Sequence, residues 1–151
     1  SFTNGSLPVE TQRITDALLK MPYYNAGPIY RGIHVPNAVA DRFLQDYQAG
    51  TRHSFGILQS FSSREDVAES FGVWNAVYGH TTSIKFVLQG NKTAPSTVHI
   101  SHFGYSESEV LSPHIQEFEV LRAEVESGAQ GHRRITFYLE DRTKRKGRRS
   151  K

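Results

Sequence analysis

The tightest constraint on the fold is where each hydrophobic period stops. Apolar residues recur at helical spacing only in the first half of this 151-residue chain, and from residue 82 onward they gather into short β-branched and aromatic runs. Helices first and strands after predict an α+β fold, because a βαβ chain would alternate the two. Pro8 opens a first helical pattern through Ile14, Ala17 and Leu18 that stops at Pro22. Pro36 opens a second, with Val39, Ala40, Phe43 and Tyr47 on one face and Gly50 at its end. Ser62 and Glu65 have capping-box spacing ahead of a third helix bearing Val67, Ala68, Phe71 and Trp74. Strands are predicted over 28–33, from Phe55 to Ser62, and over 82–88, 97–100, 109–111, 117–121 and 133–139.

Aromatic residues must build much of the core, since the apolar content is 37% but includes nine Phe, seven Tyr and one Trp. The length suits one domain. No cysteine is present, which excludes a disulfide framework, thiol catalysis and Cys-ligated zinc. The formal charge of +3 is unevenly spread: residues 142–151 (RTKRKGRRSK) hold seven of the eighteen basic residues and no acid. The other 141 residues therefore carry eleven basic against fifteen acidic groups, a net of −4. We expect a mildly acidic domain over 1–141 and a solvated, flexible basic tail over 142–151. No run approaches the 18 apolar residues of a transmembrane helix, and no signal-peptide pattern opens the chain. It starts at Ser1 rather than Met, as expected of a piece of something longer.

Several familiar sites are missing from the sequence. GxGxxG, GxxxxGK[ST], HExxH and GxSxG are all absent. His99 and His102 are three apart across a strand-to-loop boundary, a spacing that does not converge two ligands, so no metal is expected.

Three elements remain. In Tyr30-Arg31-Gly32, an arginine ends a short strand where its guanidinium can reach a ligand, and the glycine permits close approach to the backbone. In Ser60-Phe61-Ser62, the two serines share one side of a strand and Phe61 points the other way, into the core. In Glu107-Ser108-Glu109-Val110-Leu111, two carboxylates share a face about 6.6 Å apart along an extended segment. Carboxylates so placed can divide labour on a ribose: one stabilises positive charge at the anomeric carbon, the other takes a proton from the nucleophile. Their repulsion would make any titration a property of the pair.

In this order, over residues 28 to 120, the elements resemble the R-S-E class of mono-ADP-ribosyltransferases. Tyr30-Arg31-Gly32 is similar to that family's arginine strand. Ser60-Phe61-Ser62, with Ala68 and Phe71 downstream, resembles its Ser-Thr-Ser strand, with Phe61 where threonine is usual. Glu107-Ser108-Glu109 resembles its Glu-x-Glu motif, and Phe118-Glu119-Val120 the strand that comes next. Glu117 and Glu119 repeat the acidic spacing without the Val-Leu-x-Pro that follows Glu109, and read as a solvent face.

The resemblance implies an ADP-ribosyltransferase-like fold: two small, mostly antiparallel sheets forming an NAD cleft, with N-terminal helices. NAD+ would be the co-substrate, without a metal. Arg31 would hold a phosphate, Gly32 the nicotinamide amide through its backbone, and Ser62 and Phe71 would contribute to the same site. Ser60 would orient Glu109, Glu109 would stabilise the oxocarbenium ion, and Glu107 would activate the acceptor. Phe103 and Tyr105, in the segment before Glu107, would recognise the acceptor, and glutamate at 107 is the arginine-modifying pattern.

A toxin domain of a larger effector follows as an expectation, secreted or translocated and acting on a target protein in the recipient cell's cytosol. An immunity protein is an expected partner and a membrane is not. Two alternatives use the tail: RNA or DNA as the ADP-ribose acceptor, or a non-enzymatic nucleic-acid-binding module.

Overall fold

Strands in which every second residue is large and apolar dictate a sheet with one covered face. The computed structural model describes residues 27–55, 59–89, 109–112 and 117–142, together with Val9 and Arg13. In chain order these form β1 (Ile29–Pro36), α1 (Asn37–Asp46), β2 (Arg52–Ser54), β3 (Gln59–Ser62), α2 (Glu65–Phe71), β4 (Thr81–Gln89), β5 (Glu109–Ser112), β6 (Glu117–Ser127) and β7 (Arg133–Asp141). The strands pair in the order β2-β6-β7-β4-β1-β3-β5. Only β4 with β7 is parallel among the described pairings.

Two wings make up this sheet. β1 pairs with β4 from Ile29↔Leu88 to Pro36↔Thr81, whereas β1 meets β3 at a single Cα pair, Tyr30↔Ser62. The larger wing, β2-β6-β7-β4-β1, thus meets the smaller, β3-β5, at one point. The α+β class predicted from the sequence is observed, and the two small, mostly antiparallel sheets that the resemblance implies correspond to the two wings of one seven-stranded sheet.

The core lies on one face of the larger wing. Ile84, Phe86 and Leu88 of β4 and Ile135, Phe137 and Leu139 of β7 are buried there with Ile29, Phe118 and Val120. α1 covers them: Ala40 is fully buried, Phe43 packs 5.8 Å from Phe86, and Tyr47 packs 5.4 Å from Phe137. Phe86 and Phe137 stack at 5.7 Å, the offset contact that aromatic pairs favour. Burial, with Asp46 adding to it, pushes the Tyr47 hydroxyl up to about 12. Phe61 is 2% exposed, so it points into the core as its alternation with the serines predicts.

Four details depart from the sequence reading. The capping box does not form: Arg64 is the N-cap of α2, Ser62 Oγ accepts the Arg64 N–H at 3.0 Å, and Glu65 binds the Lys85 ammonium at 2.8 Å. A buried cation is a stronger partner for a carboxylate than a backbone N–H. Trp74 lies beyond the end of α2 and Tyr47 is the C-cap of α1. Of the predicted strand from Phe55 to Ser62, β3 forms the last four residues, paired with β5, Phe55 is not in a strand, and residues 56–58 lie outside the described residues; β2, paired with β6, is an additional strand. β6 runs on to Ser127 because its charged residues line up along β7, with Arg122 over the Tyr138 ring at 3.8 Å. The helix predicted from Pro8 to Pro22 (Val9 and Arg13 apart) and the strand over 97–100 lie outside the described residues.

Candidate active site

Alternation along β1 places Ile29, Arg31, Ile33 and Val35 on the core side, and Arg31 is the charged member of that row, opposite Phe86. Desolvation by burial holds its guanidinium below the ordinary arginine pKa. Its Nη1 donates to the Ser60 carbonyl at 3.0 Å, across the seam between the wings. Among the described residues no carboxylate forms an ion pair with it. A desolvated cation without a counter-ion is expensive for a fold to keep, and it suits an anionic ligand such as a phosphate.

The smaller wing brings the next two elements together. β3 pairs with β5 in the register Ser60↔Leu111, Phe61↔Val110 and Ser62↔Glu109. Tyr30, Ser62 and Glu109 therefore form one row across β1, β3 and β5. The sequence reading gives Ser60 the task of orienting Glu109; in the backbone register Ser62 is the direct neighbour of Glu109 and Ser60 its diagonal one.

α2 closes the site on the sheet face away from the core. Gly32 makes that contact possible: a Cβ there would lie 1.7 Å from the Ala68 carbonyl oxygen and 2.9 Å from the Gly72 nitrogen. Helix packing therefore demands glycine, a reason different from the ligand approach inferred from sequence. The clamp beside it is Lys85, whose Nζ donates to Glu65 at 2.8 Å and Glu69 at 2.7 Å and lies 4.2 Å from the centre of the Trp74 ring. Burial would lower the Lys85 pKa, but the hydrogen bonds to the two carboxylates outweigh it and the pKa is raised.

Between β1, β3 and α2 lies a cleft of about 410 Å³, lined by Tyr30, Arg31, Gly32, His34, Ser60, Ser62, Val67, Ala68 and Phe71 among others. Phe71 is 59% exposed and offers the cleft an uncovered aromatic ring. Of the sequence candidates, Arg31, Gly32, Ser60, Ser62 and Phe71 meet here, and the backbone of Glu109 adjoins Ser62. Glu107, Phe103 and Tyr105 lie outside the described residues. His34 was not among the candidates, although the two-residue period from Tyr30 and Gly32 puts it on their face.

The tail is described only at Arg142, whose backbone N–H donates to the Glu117 carbonyl at 2.9 Å and whose guanidinium pairs with Glu119 at 3.2 Å and with Glu140. Among the described residues no group of three or more His, Asp or Glu is placed to hold a metal, and no helix is long and apolar enough to cross a membrane.

No family model matches the sequence, and no curated protein matches it. Solved structures do match its fold. The Vis toxin, an ADP-ribosyltransferase from Vibrio splendidus, superposes with a TM-score of 0.59 at 22% identity, covering 85% of this chain and 54% of Vis. Vis in complex with agmatine matches at a TM-score of 0.57 and 20% identity, covering 85% and 55%. The ATR domain of Salmonella SpvB matches at 0.60 and 14% identity, covering 88% and 70%. This chain thus has the fold of these proteins and spans about half the length of Vis.

Proposed function

We propose that the chain transfers ADP-ribose from NAD+ to a macromolecular acceptor, a protein arginine first, and releases nicotinamide. The observation that carries this reading is the seam itself: a desolvated Arg31, bonded to the Ser60 carbonyl and without an ion-paired carboxylate among the described residues, stands in a cleft with Tyr30 and Ser62, and the backbone of Glu109 is paired with Ser62 beside it. Arg31 holds a phosphate of NAD+. Phe71 offers a ring for stacking, and the serines order the acidic strand.

The bond from the ribose anomeric carbon to the pyridinium nitrogen breaks, and its electron pair leaves with nicotinamide. Glu109 stabilises the resulting oxocarbenium ion. An acceptor nitrogen then bonds to that carbon and gives its proton to Glu107. Nicotinamide leaves as a neutral molecule, so the enzyme's main task is to place a negative charge beside the forming cation. Agmatine, found with Vis, carries the same guanidinium as an arginine side chain and supports arginine as the acceptor type. The fold's occurrence in toxins supports a role as the catalytic part of a secreted or translocated effector. A cognate immunity protein belongs to the same proposal.

Biotin-labelled NAD+ in bacterial and eukaryotic lysates tests the reading. Glu109→Ala is expected to reduce labelling by about 10²–10³-fold, the range for removing a preorganised electrostatic group. A band that protease removes and nuclease leaves identifies a protein acceptor, and the reverse identifies RNA or DNA. No label and no nicotinamide release from the unaltered chain would overturn the proposal.

A further inference from the structure

A hydroxyl has one hydrogen to give, and at Thr81 that fixes the state of a neighbouring ring. Thr81 Oγ1 lies 2.6 Å from the Tyr78 carbonyl oxygen and 2.8 Å from His34 Nε2. The carbonyl can only accept, so the Thr81 hydrogen goes to Tyr78. The contact with His34 then requires Nε2–H to be the donor and Thr81 Oγ1 the acceptor. In the neutral ring this leaves Nδ1 with a lone pair. Among the described residues nothing donates to that lone pair.

His34 stands in the wall of the cleft, two residues beyond Gly32 on the same face of β1. The Tyr78 ring braces it at 5.4 Å, and the exposed ring of Phe71 belongs to the same lining. Among the described residues this combines an unspent acceptor, in the neutral ring, with apolar aromatic surface. A flat ring that carries an amino group is the ligand chemistry it fits.

We propose that His34 Nδ1 accepts a hydrogen bond from the amino group of a planar heteroaromatic ring bound in the cleft, which makes His34 a specificity-determining residue. The inference rests on NAD+ being the ligand, and two groups of NAD+ have this chemistry: the nicotinamide carboxamide and the adenine 6-amino group. Two analogues separate them. Nicotinic acid adenine dinucleotide replaces the carboxamide with a carboxylate, and nicotinamide hypoxanthine dinucleotide replaces the adenine amine with an oxo group.

Binding of NAD+ and both analogues would be measured by calorimetry with the full chain and with His34→Leu and His34→Asn. The unaltered chain should prefer NAD+ over one analogue by about three- to tenfold, the worth of one net hydrogen bond. His34→Leu should abolish that preference and leave the other ratio unchanged. His34→Asn, whose Oδ1 stands where Nδ1 stood, should keep it.

Unchanged ratios in His34→Leu, with NAD+ still bound, would overturn the proposal. Absence of NAD+ binding by the unaltered chain would sink the NAD+ reading itself, a different outcome. Should His34→Leu fail to fold, nitrogen NMR of the unaltered chain decides. The Nδ1 resonance, assigned by its loss in His34→Asn, should move on adding NAD+. A resonance that stays in place while NAD+ binds refutes the contact.

Discussion

The two faces of the larger wing come from the same strands, residue by residue in alternation, yet different forces hold them. On the core face, Phe86, Phe137, Phe43 and Tyr47 pack without directional bonds. On the other face, directed polar contacts are added to the packing of Ala68, Trp74 and Val87. Lys85 grips α2, Ser83 Oγ donates to the Val73 carbonyl at 3.1 Å, and Thr81 Oγ1 donates to the Tyr78 carbonyl. These bonds hold a connection between α2 and β4 in which Val73 (φ 52°) and His80 (φ 60°) adopt the left-handed region. For β-branched Val73 that conformation is strained, so the bonds must hold the chain against its own preference. The contrast separates two tasks: apolar burial makes the molecule stable, and the polar face sets where α2, Phe71 and His34 stand around the cleft.

The largest effect should come from the core face. Phe137 is fully buried against Phe86 and Tyr47, and Phe137→Ala should cost about 3–5 kcal/mol in urea unfolding. At a temperature where the variant is still folded, its affinity for NAD+ should be close to that of the unaltered chain. A matching loss of affinity would show that the two faces are not separable. Lys85→Met probes the other side and should cost less, about 1–3 kcal/mol. Its partner Glu65 is 51% exposed and Glu69 25%, so water can take over the freed carboxylates, which discounts the loss. The larger consequence should be for α2, with NAD+ labelling falling several-fold in molecules that remain folded. Labelling that tracks stability alone would assign the clamp to the core's task.

The same contrast explains what the sequence made legible. β1, β4 and β7 announce themselves through alternation, because burying Ile84, Phe86, Ile135 and Phe137 on one face requires every second residue to be apolar. Arg31 and the two serines were legible as interruptions of that rule, polar groups where a strand should be burying side chains. The partners of polar groups were not. Glu65 has the spacing for a cap, and nothing local reveals that Lys85, twenty residues on, will claim it. Gly32 reads as a ligand-approach glycine until α2 is seen resting on it. His34 was missed for the same reason, since its fixed tautomer depends on a threonine forty-seven residues away. The far half of β6 carries a local signal that the sequence reading passes over, since Leu121, Ala123 and Val125 alternate with Arg122, Glu124 and Glu126.

The smallest expected effect is the most specific to the polar face. His132 is 3% exposed and lies with Nε2 3.2 Å from Ser83 Oγ. Ser83 spends its hydrogen on Val73, so His132 donates through Nε2–H, as His34 does to Thr81. Burial first, then the charges of Arg134 and His34, hold the His132 pKa below its ordinary 6.5. The unfolded chain therefore takes up this proton before the folded one does. The stability it contributes is complete above about pH 6.5 and is lost as pH falls toward and through the lowered folded value. Each unit of depression corresponds to about 1.4 kcal/mol. Urea midpoints followed downward from neutral pH should fall more steeply for the unaltered chain than for His132→Gln, which keeps a donor for Ser83 and does not titrate. The difference between the two curves removes the carboxylates and the other histidines common to both. Parallel curves would mean that the Ser83–Val73 tether tolerates a charged His132, and the claim that directed bonds govern this face would fail at its most buried point.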